Sequence, residues 1–143
     1  MVRHSFALEI KAPMEKVFAY VTDFRKNAEW QDGVKESTQT PDGPTQLGTK
    51  IRTVRTFLGQ QLEGSGEVIE FVPNQKMTFK TTSGPIQLKI AQMFEPTPDG
   101  TRVTTDMEME PKGFFKVAEG ALAGNLKQTM ESQAARLKSI LES

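Results

Sequence analysis

The chain has 143 residues, of which 36% are hydrophobic and 25% are charged, values typical of one soluble globular domain over residues 1–143. Eighteen basic and eighteen acidic side chains cancel, so no net charge favours nucleic acid or an anionic membrane surface. The absence of cysteine excludes a disulfide scaffold, thiolate catalysis and thiolate-bound metal.

Membrane and export signals are also missing from the sequence. No segment approaches the roughly 20 consecutive apolar residues that a membrane-spanning helix needs. Residues 1–13 lack the apolar core of a signal peptide. We therefore expect a cytoplasmic protein without a membrane span.

The chain begins with a strand pattern followed by two short helix patterns. Val2, Phe6, Leu8 and Ile10 share one parity, which predicts a half-buried strand over residues 2–10. The next segment carries a proline suited to a first helical turn and then apolar residues at helical spacing, Pro13, Val17, Phe18 and Val21. Asp23 is placed as the N-cap of a second short helix that runs to about Trp30.

Turn signals rich in Gly, Pro, Asn and Asp divide the following region into short segments rich in Val, Ile, Thr and Phe. These segments predict six further strands, at residues 34–40, 49–58, 61–72, 76–82, 86–95 and 101–109. Their short connections favour antiparallel hairpins.

From Gly113 to Ser143 the pattern predicts one long amphipathic helix. Its apolar side chains recur at intervals that keep them on one face: Ala118, Leu122, Leu126, Met130, Leu137 and Leu141. A single helix after an antiparallel sheet must lay that face across the sheet, and a curved sheet around one helix often encloses a cavity. Gly120 and Gly124 each cost about 1 kcal/mol against alanine. They allow a strand to approach closely, leave space for a ligand, or let this end of the helix loosen as a gate.

Three stretches carry a family resemblance: residues 10–13 (IKAP), residues 17–24 (VFAYVTDF) followed by Trp30, and residues 137–142 (LKSILE). With them the chain resembles the SRPBCC superfamily (START-like, Bet v 1-like), in particular its small polyketide cyclase/dehydrase-like members. The resemblance implies an α+β helix-grip fold. In that fold a curved seven-stranded antiparallel sheet surrounds a long C-terminal helix, with two short helices after strand 1. The superfamily includes lipid carriers, hormone receptors, cyclases, dehydratases and chaperone activators, so the fold does not choose an activity.

The apolar faces that would confront the long helix predict the ligand-contacting residues. These are Trp30, Phe79, Ile90, Phe94, Met107, Met109, Leu122 and Leu126. Methionine thioethers adapt to irregular apolar ligands, although core filling is the alternative for the same residues. For Trp30, packing where the second helix meets the sheet is favoured over stacking on a ligand.

Titratable residues offer few candidates for catalysis, and the sequence assigns no catalytic residue. His4, the single histidine, shares parity with inward-facing residues, but it has no companions for a zinc site. Glu67 becomes a buried acid if its face of the strand points inward. Inward-pointing Leu62 and Val68 would instead leave Glu67 solvated, which is the favoured alternative.

Two arginines and the single tyrosine complete the polar candidates. Arg52 and Arg55 take opposite parities, so either can clamp an anionic headgroup. Pairing across strands with the glutamates of residues 61–72 is the favoured role for both. Tyr20 offers a phenolic O–H, with helix-side packing favoured over a ligand contact.

The favoured function is binding of a small, mainly apolar ligand (a lipid, polyketide-like or isoprenoid compound) between the sheet and the C-terminal helix. The alternative is a cofactor-independent cyclase or dehydratase that uses His4, Glu67, Arg52 or Tyr20 as acid or base. A third class is an interaction module, which would show an exposed apolar patch. We expect no cofactor, metal or nucleic-acid partner; the sequence identifies neither the ligand nor the oligomeric state.

Overall fold

The structure is a computed structural model that describes residues 2–31, 33–57, 59–84, 86–111 and 119–143. Its seven strands are β1 (Val2–Ile10), β2 (Val34–Thr40), β3 (Lys50–Phe57), β4 (Gln60–Val72), β5 (Lys76–Ser83), β6 (Ile86–Thr97) and β7 (Gly100–Pro111). Its α-helices are α1 (Met14–Val21), α2 (Asn27–Trp30) and α3 (Glu119–Glu142), and a 3-10 helix (Phe24–Lys26) precedes α2.

All seven strands belong to one antiparallel sheet in the order β1-β7-β6-β5-β4-β3-β2. Consecutive strands from β2 to β7 are joined by hairpin connections. β1 pairs with β7 and forms the edge of the sheet opposite β2. The sheet is curved, with α3 as the long C-terminal helix, so the α+β helix-grip prediction is confirmed.

The short helices begin where their capping residues predict. Pro13 precedes the first turn of α1, where an imide nitrogen leaves no donor unsatisfied. Asp23 caps the 3-10 helix because its carboxylate accepts from the backbone N–H of Arg25 at 3.1 Å. The predicted stop and restart of the helix at this point is confirmed.

The inner face of the sheet carries two apolar clusters. The first joins α1, α2 and the C-terminal end of α3 to strands β1, β6 and β7, and contains Ile10, Ala12, Val17, Phe18, Val21, Trp30, Phe94, Val103, Leu137 and Leu141. The second lies under the 3-10 helix and contains Phe24, Ile51, Val68, Met77 and Phe79. These clusters close one end of the sheet.

Polar contacts hold the last turns of α3 against the start of the chain. Glu142 accepts a hydrogen bond from the backbone N–H of Lys11 at 2.8 Å. The ammonium of Lys16 donates to the carbonyl of Leu141 at 3.1 Å. Since Leu137 and Leu141 are buried in the first cluster, the apolar face predicted for this half of the helix is confirmed.

A β-bulge lies between Val68 and Glu70. Val68 is fully buried, Ile69 is exposed, and Phe71 packs against both apolar clusters. The extra residue therefore turns Phe71 inward, although simple alternation along the strand would turn it outward.

Candidate functional site

A pocket lies on the inner face of the sheet, toward the β5–β6 hairpin and away from the first apolar cluster. Its volume is about 120 Å³. Strands β3 to β7 and the connection between β5 and β6 supply its described lining: Thr53, Arg55, Leu62, Glu63, Gly64, Ser65, Phe79, Thr81, Ser83, Gly84, Ile86, Leu88 and Met109.

The alternation of each strand explains why the wall is mainly apolar. Ile86 and Leu88 point inward from β6 while the intervening Gln87 is exposed. Met109 lies opposite Leu88 in the β6–β7 ladder, so the two side chains share the inner face. Leu88, Ile86 and Met109 are only partly buried, in contrast to the residues of the two clusters. This part of the inner face is therefore not filled by its own described side chains.

Glycine and phenylalanine shape the floor of the pocket. A β-carbon at Gly66 would overlap the ring of Phe79, so that glycine lets the aromatic ring lie against the backbone of β4. Phe79 also packs on Phe24, with ring centroids 5.2 Å apart. At Gly64 a β-carbon would make only an ordinary contact, 3.4 Å from the carbonyl oxygen of Ser83. The absence of a side chain at Gly64 leaves space in the pocket.

Arg55 supplies the positive charge of the pocket. Its side chain is half-buried, and none of the described residues forms a hydrogen bond or an ion pair with it. Desolvation by the surrounding protein lowers the pKa of its guanidinium from the ordinary value, and no described acid opposes the shift. An arginine keeps its proton at neutral pH even after such a shift, so the pocket contains a cation that the described residues do not neutralise.

Arg52 lies on the outer face of the same strand and has partners. Its Nε lies 2.7 Å from Glu63 Oε1, and its Nη1 lies 3.5 Å from Glu36 Oε1. The hydrogen bond from Arg52 lowers the pKa of Glu63. Cross-strand pairing, which the sequence favoured for both arginines, is confirmed for Arg52 and is wrong for Arg55. The reason is that Arg55 lies opposite Leu62, on the inner face.

The predicted acid and base residues do not converge on the pocket. Glu67 lies on the outer face, between Lys50 and Lys80 in the ladders, as expected when Leu62 and Val68 face inward. His4 faces inward opposite Met107, and its ring lies 5.5 Å from that of Phe6.

Tyr20 is engaged on the helical side of the molecule. Its hydroxyl donates to Glu29 Oε1 at 3.0 Å. Burial, and then the hydrogen bond and the negative charge of Glu29, raise the pKa of Tyr20 to about 12. The packing role favoured for this residue agrees with its contact against the first apolar cluster.

The predicted ligand-contacting residues fall into separate parts of the structure. Phe79 and Met109 line the pocket. Ile90 and Met107 are cross-strand neighbours one step further along the same inner face. Trp30 and Phe94 belong to the first apolar cluster. The side chains of Leu122 and Leu126 lie outside the described part of the chain.

The glycines of α3 are exposed, and no described atom lies within 4 Å of a β-carbon placed at Gly120 or Gly124. Close approach of a strand therefore does not explain them. Space for a ligand and a loosened helix end remain as interpretations.

Within the described ranges, no group of three or more His, Asp or Glu side chains is placed to hold a metal ion. None of the helices in the described part of the chain is long and apolar enough to cross a membrane. The exposed large apolar residues of this part are Leu47, Ile69 and Val72.

Residues 1–142 match the model of the family described as polyketide cyclase / dehydrase and lipid transport. The chain belongs to this family. The predicted resemblance to START-like and polyketide-cyclase-like proteins is confirmed. A search of curated proteins found no significant match.

Several solved structures share the fold of this chain at low sequence identity. A START superfamily protein from Mycobacterium smegmatis is 21% identical, with a TM-score of 0.78 over 98% of this chain and 97% of that chain. A protein from Thermus thermophilus is 18% identical, with a TM-score of 0.71 over 97% of each chain. The di-domain ARO/CYC StfQ from the steffimycin biosynthetic pathway is 14% identical, with a TM-score of 0.75 over 99% of this chain and 50% of that chain. These similarities establish the fold alone.

Proposed function

We propose that this protein binds a small, mainly apolar molecule in the pocket between β3 and β7. The observation that carries the proposal is that the described side chains leave the apolar inner face there unfilled, with Ile86, Leu88 and Met109 only partly buried around a volume of about 120 Å³. Family membership supports the same function, because the family description includes lipid transport.

The volume of the pocket limits how large a part of the ligand can enter it. Drug-sized ligands occupy pockets of roughly 300–1,000 Å³, whereas a cavity of about 150 Å³ accommodates benzene. One ring or a short acyl segment of a lipid, polyketide-like or isoprenoid ligand fits the volume measured here. Six buried methylene groups contribute about 5 kcal/mol at ~0.8 kcal/mol each, before the cost of association. Apolar contact alone therefore gives weak binding, on the order of millimolar.

A titration of ¹⁵N-labelled protein with octan-1-ol, followed by NMR, tests this proposal. We expect saturable amide shifts centred on Phe79, Leu88 and Met109. Gly64→Leu should abolish them, because four added heavy atoms occupy the space above the glycine. Lys89→Leu adds the same apolar group on the outer face beside Leu88 and should leave the shifts unchanged. Shifts that survive Gly64→Leu in a folded variant, or that never appear in this region, would overturn the proposal.

The family also favours a second candidate, a cofactor-independent polyketide cyclase or dehydratase. The supporting observation is Arg55, since an unneutralised guanidinium in an apolar pocket can stabilise an enolate oxygen. Among the described lining residues the one carboxylate, that of Glu63, is bonded to Arg52 and offers no free base. Exchange of deuterium into the α-position of acetylacetone, accelerated by the protein and lost in Arg55→Met, would favour this candidate over simple binding.

A further inference from the structure

We propose that the pocket selects ligands carrying a carboxylate, with Arg55 as the anchor and Ser37 as a second donor. This inference rests on the proposed function, because it specifies the head group of the molecule that the pocket binds. The apolar remainder of the ligand would lie toward Leu88 and Met109.

Arg55 has no counter-charge among the described residues. Removing a guanidinium from water is costly unless a counter-charge compensates for it. The glutamates of the adjacent strands do not provide that charge: Glu63 and Glu36 both contact Arg52 on the outer face. An anionic ligand would therefore supply the counter-charge that the described residues do not give to Arg55.

A buried hydroxyl without a described hydrogen-bond partner lies beside the pocket. Ser37 Oγ is buried, and none of the described residues forms a hydrogen bond with it. Ser37 lies opposite Thr53 in the β2–β3 ladder, and Thr53 lines the pocket. Because Arg55 is two residues from Thr53 on the same strand, Ser37 and Arg55 are diagonal neighbours on one face.

Together these groups match a carboxylate. The guanidinium offers parallel N–H donors that fit two carboxylate oxygens, and the hydroxyl offers one more donor. An alcohol oxygen can accept from only part of this set and leaves the positive charge uncompensated. The arrangement thus favours an acid over the alcohol of the same chain length.

Octanoate and octan-1-ol are the matched probes, with dissociation constants measured by NMR titration of the full chain. We expect octanoate to bind wild-type protein about 10- to 100-fold more tightly than octan-1-ol, the range of one charge-assisted hydrogen bond. Arg55→Met should remove this preference, because octanoate loses its charged partner whereas octan-1-ol loses at most one hydrogen bond to its neutral oxygen. Ser37→Ala should weaken octanoate binding severalfold, with little effect on the alcohol. Benzoate and benzyl alcohol repeat the comparison for aromatic acids, so the tighter-binding acid distinguishes an aliphatic from an aromatic ligand class.

Arg52→Met is the control for net charge, since it removes the same charge from the outer face. It should keep the acid preference; an equal loss in Arg52→Met and Arg55→Met would overturn the inference. Arg55→Gln, a polar and uncharged replacement, provides the same test if the methionine variant does not fold. If wild-type protein binds octan-1-ol as tightly as octanoate, the carboxylate inference fails and the proposed function survives. If neither probe of either pair binds, the proposed function fails as well.

Discussion

The ring of Phe79 on β5 lies against the α-carbon of Gly66 on β4, in the space where any other residue would place its β-carbon. The same phenylalanine also lines the pocket. The absence of a side chain at Gly66 thus determines where the aromatic floor of the pocket lies.

Gly66→Ala should lower the free energy of unfolding by about 1–3 kcal/mol, because the added methyl displaces Phe79 from its packing on Phe24. Gly64→Ala is the matched control two residues away, where the new β-carbon meets only Ser83 at 3.4 Å. It should be neutral or stabilising by up to about 1 kcal/mol, since glycine weakens a strand. Urea denaturation measures both variants. Equal stabilities of the two variants would contradict the role given to Gly66.

A buried amide fastens the 3-10 helix to the sheet. Gln39 Oε1 accepts from the backbone N–H of Phe24 at 2.8 Å, and its Nε2 donates to the carbonyl of Gly43 at 3.0 Å. Gln39→Leu should cost about 1–3 kcal/mol in unfolding free energy, because both backbone groups lose their partner. Thr38→Val changes the exposed neighbouring position and should cost less than about 0.5 kcal/mol. A cost for Gln39→Leu as small as that of the control would show that the amide is dispensable.

Tyr20 is the single tyrosine of the chain, so the ultraviolet absorbance of its phenolate reports one group. The titration should have its midpoint near pH 12 in the folded protein. Glu29→Gln should move the midpoint toward the ordinary value of 10.0 while part of the shift remains, because burial is the largest cause and the glutamate contributes the rest. Since the pKa of Tyr20 is higher in the folded state than in the unfolded chain, the folded state holds this proton more tightly. The contribution of that difference to the free energy of unfolding is complete below pH 10.0 and is lost as the pH rises toward 12. An unchanged midpoint in Glu29→Gln would contradict the contribution of the hydrogen bond.

The glycines of α3 should be replaceable. Gly120→Ala and Gly124→Ala should each raise the unfolding free energy by up to about 1 kcal/mol, because alanine is the better helix former and no described atom occupies the position of the new methyl. Thermal and urea denaturation measure the change. A loss of stability in either variant would show that the helix requires glycine for close packing.

Strand positions were predictable from the sequence because turn residues mark the ends of the strands. β2 occupies residues 34–40, as predicted, and the helix break at Asp23 follows from its capping oxygen. The bulge in β4 was not predictable, because no glycine or proline marks the step from Val68 to Glu70. It reverses the alternation that would otherwise turn Phe71 outward.

The site was harder to predict than the fold. Parity separated Arg52 from Arg55, but only the pairing of Arg55 with Leu62 on β4 shows which of them enters the pocket. The apolar pattern of β6 predicts Phe94 and Ile90 equally well as ligand contacts. How deeply a residue of β6 is buried depends on what packs above it. Helices α1 and α3 help to bury Phe94, while Leu88 and Ile86 on the same strand line the pocket.

The central claim is that a small apolar molecule occupies this pocket, and the methionines provide a direct measurement. Protein labelled with ¹³C at the methionine methyl groups would be titrated with octanoate and observed by NMR. Met109 lines the pocket, and Met77 is buried in the second cluster as an internal control. We predict that the Met109 methyl signal shifts on saturation and shows nuclear Overhauser contacts to the ligand chain, while that of Met77 changes little. No shift at Met109, or equal shifts at both methionines, would contradict binding in the pocket.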